Sequence, residues 1–397
     1  MAITAQVLTL ETGQAPAPAA LAVGRLTLTN FRCYAFQRID SDGRSVILTG
    51  PNGAGKTNVL EALSFLTPGR GLRRAKAEEL TRGGNGQASW GVAAKIKTPE
   101  GEVEIGTGRD PEAQRNGRER RLVRIDGQPA RGQVELAEHM SAVWLTPQMD
   151  RLFLEGASAR RSFLDRLIYG FDPAHAGRVG AWEKAARERN KLLGDGNRDA
   201  SWLGALEGTM AEKGVAVAAA RLDMATRLDA ACQRAEGPFP RAKVAINGTV
   251  EGWLAEGRPA LEAEERLRGI LAGSREEDAR SGSASDGPNR TDMAVTHVAK
   301  DMPAGLCSTG EQKALLIAIV LADARLQAAE RGAAPVLLLD EVAAHLDEER
   351  REALFHEIEV LGGQAWLTGT DETVFAPLLG RAKFLRVEDA VVSDAAL

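Results

Sequence analysis

Cysteine is scarce: Cys33, Cys232 and Cys307 lie far apart, with no CxxC pair and no histidine at ligand spacing. This excludes a zinc knuckle and a disulfide framework, and predicts reduced thiols in a cytoplasmic protein. No apolar run reaches the roughly 18 residues that a membrane span needs. The N-terminus also lacks the basic start and greasy centre of a secretory signal, so no membrane partner is expected. Positive charge is not in excess either. The net charge of −5 and pI of about 5.8 exclude a surface that is a nucleic-acid mat throughout, so any DNA contact must be local. Residues 1–24 carry no Lys or Arg and no clear periodicity, and read as a flexible leader.

What is present is a globular composition, 44% hydrophobic and 26% charged over 397 residues, enough for a large domain or two ordinary ones. Leu26 and Leu28 alternate with polar neighbours, and Val46-Ile47-Leu48-Thr49 stops at Gly50; both predict strands. Val59, Ala62, Leu63 and Leu66 follow at i, i+3, i+4 and i+7, the spacing of a helix packed on a sheet. From Trp90 to Ile125 the alternation predicts an antiparallel meander. Residues 151–284 turn helical, with Phe163, Leu164, Leu167 and Ile168 on one face and Leu203, Leu206, Met210 and Val217 on another. Ser274 to Gly287 is rich in Ser, Gly and charge and predicts an exposed, disorder-prone loop. Strand and helix then resume with Val336-Leu337-Leu338-Leu339 and Gln364 to Thr368.

Between the first buried strand and the first helix stands Gly50-Pro51-Asn52-Gly53-Ala54-Gly55-Lys56-Thr57, a full match to G-x-x-x-x-G-K-[ST], followed by Asn58. Glycines let backbone N–H groups curl around phosphates, and the helix N-terminus adds its positive dipole end. Lys56 is then expected on the β- and γ-phosphates of ATP and the Thr57 hydroxyl on Mg²⁺. Asp340-Glu341 ends a buried strand, as a Walker B pair does. Asp340 would hold Mg²⁺ through water, and Glu341 would polarise the attacking water as general base.

Ser308-Thr309-Gly310-Glu311-Gln312 opens an apolar helix. Its hydroxyls and free N–H groups suit either a capping box or an anion site. The segment resembles the signature motif of ABC-type ATPases, which implies that Ser308 meets the γ-phosphate held by a second copy, so that ATP joins a homodimer. By the same resemblance Gln148, after the strand-like Val143 to Thr146, matches the glutamine that touches Mg²⁺ and water. Asp347 matches the D-loop aspartate, or caps a helix, or both. The switch histidine usual in such heads is missing from Thr368-Gly369-Thr370-Asp371. Thr368 or Thr370 could bond the γ-phosphate, but neither is a comparable base, so slow hydrolysis is expected.

Four further segments resemble the RecF family: Asn30 to Tyr34, Lys56 to Ala62, Ala159 to Arg166, and Gly287-Pro288-Asn289-Arg290-Thr291-Asp292, where Asn289 and Thr291 depart from the pattern. The resemblance implies an α/β fold: an ABC/SMC-type P-loop ATPase head with an antiparallel β subdomain and an inserted, mainly helical lobe. The head would comprise residues 25–150 and 285–397 and the lobe 151–284. It implies a cytoplasmic protein of recombinational repair that dimerises on ATP at single-strand gaps in double-stranded DNA and, with RecR and RecO, helps load RecA. An ABC-type subunit of a transporter or a defence system is the alternative. Candidate DNA contacts are Arg70, Arg73, Arg74 and Lys76 after the first helix, and Arg115, Arg118, Arg120, Arg121 and Arg124 in the meander. No aromatic residue interleaves them, which points to phosphate contacts on duplex rather than base stacking.

Overall fold

The computed structural model describes residues 21–83, 89–110, 121–196, 199–343 and 346–395. Its centre is a six-stranded sheet in the order β15-β14-β3-β13-β12-β8. These strands are β3 (Val46–Thr49), β8 (Ala142–Leu145), β12 (Val336–Leu339), β13 (Ala365–Gly369), β14 (Lys383–Glu388) and β15 (Val391–Asp394). All pairings are parallel except that of β14 with β15. Parallel strands are covered on both faces, which is why β3 and β12 are unbroken apolar runs. Alternate residues serve different cores: Leu337 and Leu339 face one, Val336 and Leu338 the other.

The second core is closed by an antiparallel sheet in the order β2-β1-β4-β5-β6-β7. Its strands are β1 (Ala22–Phe31), β2 (Tyr34–Asp40), β4 (Gly91–Thr98), β5 (Gly101–Arg109), β6 (Arg121–Ile125) and β7 (Gln128–Pro129). Helix α1 (Lys56–Ser64) lies between the two sheets and buries Val59, Leu60 and Leu63. The expected leader ends earlier than 24. Leu21 to Val23 are buried, β1 begins at Ala22, and the Val23 N–H donates to Gln364 Oε1 at 2.9 Å. Residues 1–20 lie outside the described ones.

After the short α2 (Leu136–His139), the chain enters the helical part with α3 (Ala157–Tyr169), α4 (His175–Gly194) and the long α5 (Ala200–Arg234). These are followed by α6 (Thr249–Ala255), α7 (Ala260–Gly273) and α8 (Arg275–Ser281). Strand β9 (Ala242–Asn247) pairs with β10 (Asp292–His297), which pairs with β11 (Met302–Pro303). A small sheet thus joins residues on both sides of position 284. The first half of the loop expected over 274–287 is instead a helix, Arg275–Ser281, and the rest is turn and bend. Asp278 of α8 is fully buried because its carboxylate neutralises Arg189, also fully buried, at 2.8 Å, with Glu207 on the other side at 3.0 Å.

Two segments singled out by family resemblance meet here. Arg160 of α3 pairs with Asp292 at 2.7 Å, and Arg161 donates to the Thr291 carbonyl at 2.7 Å. Helix α9 (Thr309–Arg331) is apolar nearly all round, because it lies in the core shared by β8, β12, α3 and α5. Helix α10 (Glu348–Leu361) covers the same core from outside through Leu354, Phe355 and Ile358.

Candidate functional site

Three glycines shape the loop between β3 and α1, and all have positive φ: Gly50 at 144°, Gly53 at 81° and Gly55 at 117°. A Cβ at Gly50 would lie 2.1 Å from the Val387 carbonyl oxygen, and one at Gly55 2.7 Å from Tyr34 Oη. Only glycine fits this cradle. Lys56 is buried and donates to the carbonyls of Gly50 and Pro51 at 2.7 and 2.9 Å. Burial lowers its pKa, against the opposing pull of Glu341 and Asp340. The loop's outer residues Pro51, Asn52 and Gly53 are exposed, and Ala54 is buried.

Parallel pairing carries the acidic pair to this loop. Asp340 follows β12, and its two carboxylate oxygens accept from Thr57 Oγ1 at 2.9 and 3.0 Å. Thr368, in the neighbouring β13, donates from Oγ1 to Asp340 Oδ1 at 2.8 Å and accepts from the Glu341 N–H at 2.9 Å. Glu341 has a φ of 53°, a left-handed conformation held by that bond. Of the two threonines proposed as substitutes for histidine, Thr368 is committed to both acidic residues, whereas Thr370 is exposed.

Gln148 is exposed on the 3-10 turn Pro147–Arg151, directly after β8, whose Leu145 carbonyl accepts from the Asp340 N–H at 2.9 Å. Ser308, Thr309 and Gly310 are exposed at the start of α9. Ser308 and Glu311 form a capping box: the Ser308 N–H and Oγ both donate to Glu311 Oε2, at 3.0 and 2.9 Å. Lys300, which also pairs with Glu311, is the main reason that its carboxyl is held down at about 2. Gln312 turns inward, and its Nε2 donates to the Cys307 carbonyl at 2.8 Å. Asp347 caps α10 by accepting from the Arg350 N–H at 2.9 Å, and its side chain is exposed. Ala344 and His345 beside it lie outside the described residues.

Behind the cradle, sequence reasoning assigned Asn58 to ATP and Arg73 to DNA, and gave no role to Arg32, Cys33, Tyr34 or Glu61. Tyr34 Oη donates to the Gly55 carbonyl at 3.1 Å, and Asn58 Nδ2 donates to Cys33 Sγ at 3.1 Å. Glu61, fully buried in α1, receives Arg32 in two bonds of 2.8 and 2.6 Å. Arg73 joins them, 3.0 Å from Asn58 Oδ1 and 3.4 Å from Glu61. Family resemblance in Asn30 to Tyr34 and in Lys56 to Ala62 was the available signal.

The basic clusters divide. Arg70, Arg74 and Lys76 are exposed, while Arg73 is partly engaged as above. Arg121, expected on a DNA surface, turns inward. Its guanidinium stacks 5.0 Å above the Phe65 ring and donates to Thr107 Oγ1 at 2.7 Å and to the carbonyls of Gly69, at 2.8 Å, and Phe65. These contacts tie down the turn after α1, and burial without a carboxylate lowers its pKa to about 9. Arg115, Arg118 and Arg120 lie outside the described residues.

Residues 22–377 match the RecF/RecN/SMC N terminal domain family. The chain is 49% identical over 377 residues to the DNA replication and repair protein RecF of Mesorhizobium japonicum, covering 94% of this chain and 98% of that one. It is 48% identical to the protein of the same name from Rhizobium etli, over 94% and 99%. The chain belongs to the RecF family. Among solved structures, a recombination mediator protein RecF bound to ATP superposes with a TM-score of 0.82 at 21% identity, covering 96% of this chain and all of that one. An SMC head bound to the winged-helix domain of ScpA gives 0.51 at 15% identity, over 95% and 97%. These likenesses carry the fold: an α/β head of ABC/SMC type with antiparallel and mixed sheets. Among the described residues no helix is long and apolar enough to cross a membrane.

Proposed function

We propose that this RecF-family chain is a slow, Mg²⁺-dependent ATPase that uses ATP to join two copies of itself on gapped double-stranded DNA. The observation that carries the reading is the bonded series Thr57, Asp340, Thr368 and Glu341, which holds the Asp340 carboxylate on the glycine cradle and the Glu341 backbone beside it. A RecF structure bound to ATP shares the fold. Lys56 meets the β- and γ-phosphates, and the backbone N–H groups of Asn52, Gly53, Gly55, Lys56 and Thr57 cradle them.

The donors on the rim suit Mg²⁺: hard oxygens from Thr57 and Asp340, with Gln148 on the adjoining turn. When bound, Mg²⁺ neutralises phosphate charge at the reacting end. Glu341, aimed by its backbone bond to Thr368, accepts the proton of the attacking water. No histidine stands at the end of β13, which fits slow turnover. The exposed N-terminus of α9, with Ser308 and Thr309, meets the phosphate held by a partner copy, and Asp347, exposed at the start of α10, is the D-loop aspartate of the same reading.

Recombinational repair in the cytoplasm follows from this reading, with RecR as direct partner, RecO acting through it, and RecA loading as the outcome. Sedimentation with and without ATP and Mg²⁺, on wild type, Lys56→Ala and Glu341→Gln, tests it. Wild type dimerises and turns ATP over slowly, Lys56→Ala does neither, and Glu341→Gln dimerises without turnover. A wild-type profile unchanged by ATP would refute the switch.

A further inference from the structure

Where the turn after α1 meets the antiparallel sheet, the surface opens into a cavity of about 400 Å³. That volume lies in the range of small-ligand sites. Phe65 and Trp90 line it on the apolar side, and Arg70, Arg74, Lys76 and Arg121 supply four cations. Among the described residues Arg70 and Arg74 have no carboxylate partner, and Lys76 has only Glu78 at 4.0 Å. The Arg121 guanidinium at the wall is matched with carbonyls and a hydroxyl, not with an anion. Positive charge gathered around a concavity that no carboxylate of the described residues lines leaves an anion as the matching ligand.

Shape decides which anion. The backbone of an intact duplex is convex and presents evenly spaced, singly charged phosphodiesters. A cavity is filled by something that protrudes. A strand terminus protrudes, and its phosphomonoester carries roughly −1.5 to −2 charges at neutral pH, which better matches clustered guanidiniums. We propose that this cavity receives the terminal phosphate, with its nucleotide, of a strand that ends within the bound DNA. The inference rests on the DNA-binding reading and deepens it: the cavity would distinguish the edge of a gap from continuous duplex.

The test compares the full chain, with ATP and Mg²⁺, on two duplexes of one sequence. One has a recessed, phosphorylated strand end; the other is a dumbbell closed at both ends. Fluorescence anisotropy is expected to show the ended duplex bound about ten-fold more tightly, and removal of its terminal phosphate to cancel most of that preference. Arg70→Ala with Arg74→Ala, both surface residues, should bring the ended duplex to the level of the dumbbell. Equal affinity of wild type for both duplexes would overturn the inference while leaving the DNA-binding reading intact. An ended-duplex preference that survives the double substitution would overturn the assignment to this cavity. Binding to neither would overturn the DNA-binding reading and the cavity's role with it.

Discussion

Thr368→Val removes one hydroxyl and keeps the side chain's shape, so its effect isolates two hydrogen bonds. The hydroxyl donates to Asp340 at 2.8 Å and accepts from the Glu341 N–H at 2.9 Å, and Thr368 is 1% exposed. A buried bond to a charged group is worth about 1.5–3 kcal/mol. The left-handed backbone at Glu341 loses its restraint at the same time. If that energy is spent on aiming the general base, turnover falls about 10- to 150-fold, since each 1.36 kcal/mol is a factor of ten. The assay is phosphate release at saturating ATP, with ATP-dependent dimerisation measured in parallel. We expect kcat to fall while dimerisation persists, because Lys56 and the cradle are untouched. Thr368→Ser, which keeps the hydroxyl, should restore most of the rate. A valine variant within two-fold of wild type would refute the reasoning.

Asp278→Ala strips a carboxylate from the fully buried Arg189, and breaking a buried pair this way costs about 3–5 kcal/mol. Urea unfolding should show that loss, and a change under 1 kcal/mol would mean that water reaches the guanidinium. Asp323 in α9 is fully buried, and burial raises its carboxyl to about 7. A raised acid keeps its proton in the folded state after the unfolded chain has lost it, so stability declines from the ordinary carboxyl range up to about pH 7 and is level above. Asp323→Asn, which can still accept from Gln327, should therefore gain stability over wild type at pH 8 and not at pH 4. Thermal melts at the two values decide it.

The parts legible in the sequence are those whose cause is local. The cradle's glycines serve their own backbone, and β3 and β12 announce burial on both faces by being unbroken apolar runs. The parts that misled have distant causes. Composition over 274–287 says loop, but Asp278 is drawn into a helix by Arg189, which is 89 positions away in the chain. Val23 is held in β1 by Gln364, at a separation of 341. Arg121 stands in a run of arginines like any surface cation, yet its length lets it reach back to the carbonyls behind α1. Thr368 looked like a candidate phosphate contact; its bonds to Asp340 and Glu341 depend on β13 lying beside β12.

Helix α9 begins at the exposed Ser308 and runs as a rigid rod through the core that it shares with α3 and α5. The end that would touch a second copy and the helical part therefore lack a hinge between them. If the two helices move as one body, a push on α5 would reach Ser308 as the turn of a handle reaches the jaw of a spanner. On the proposed dimer, a partner that grips the helical part would bear on the contact between two copies from a distance.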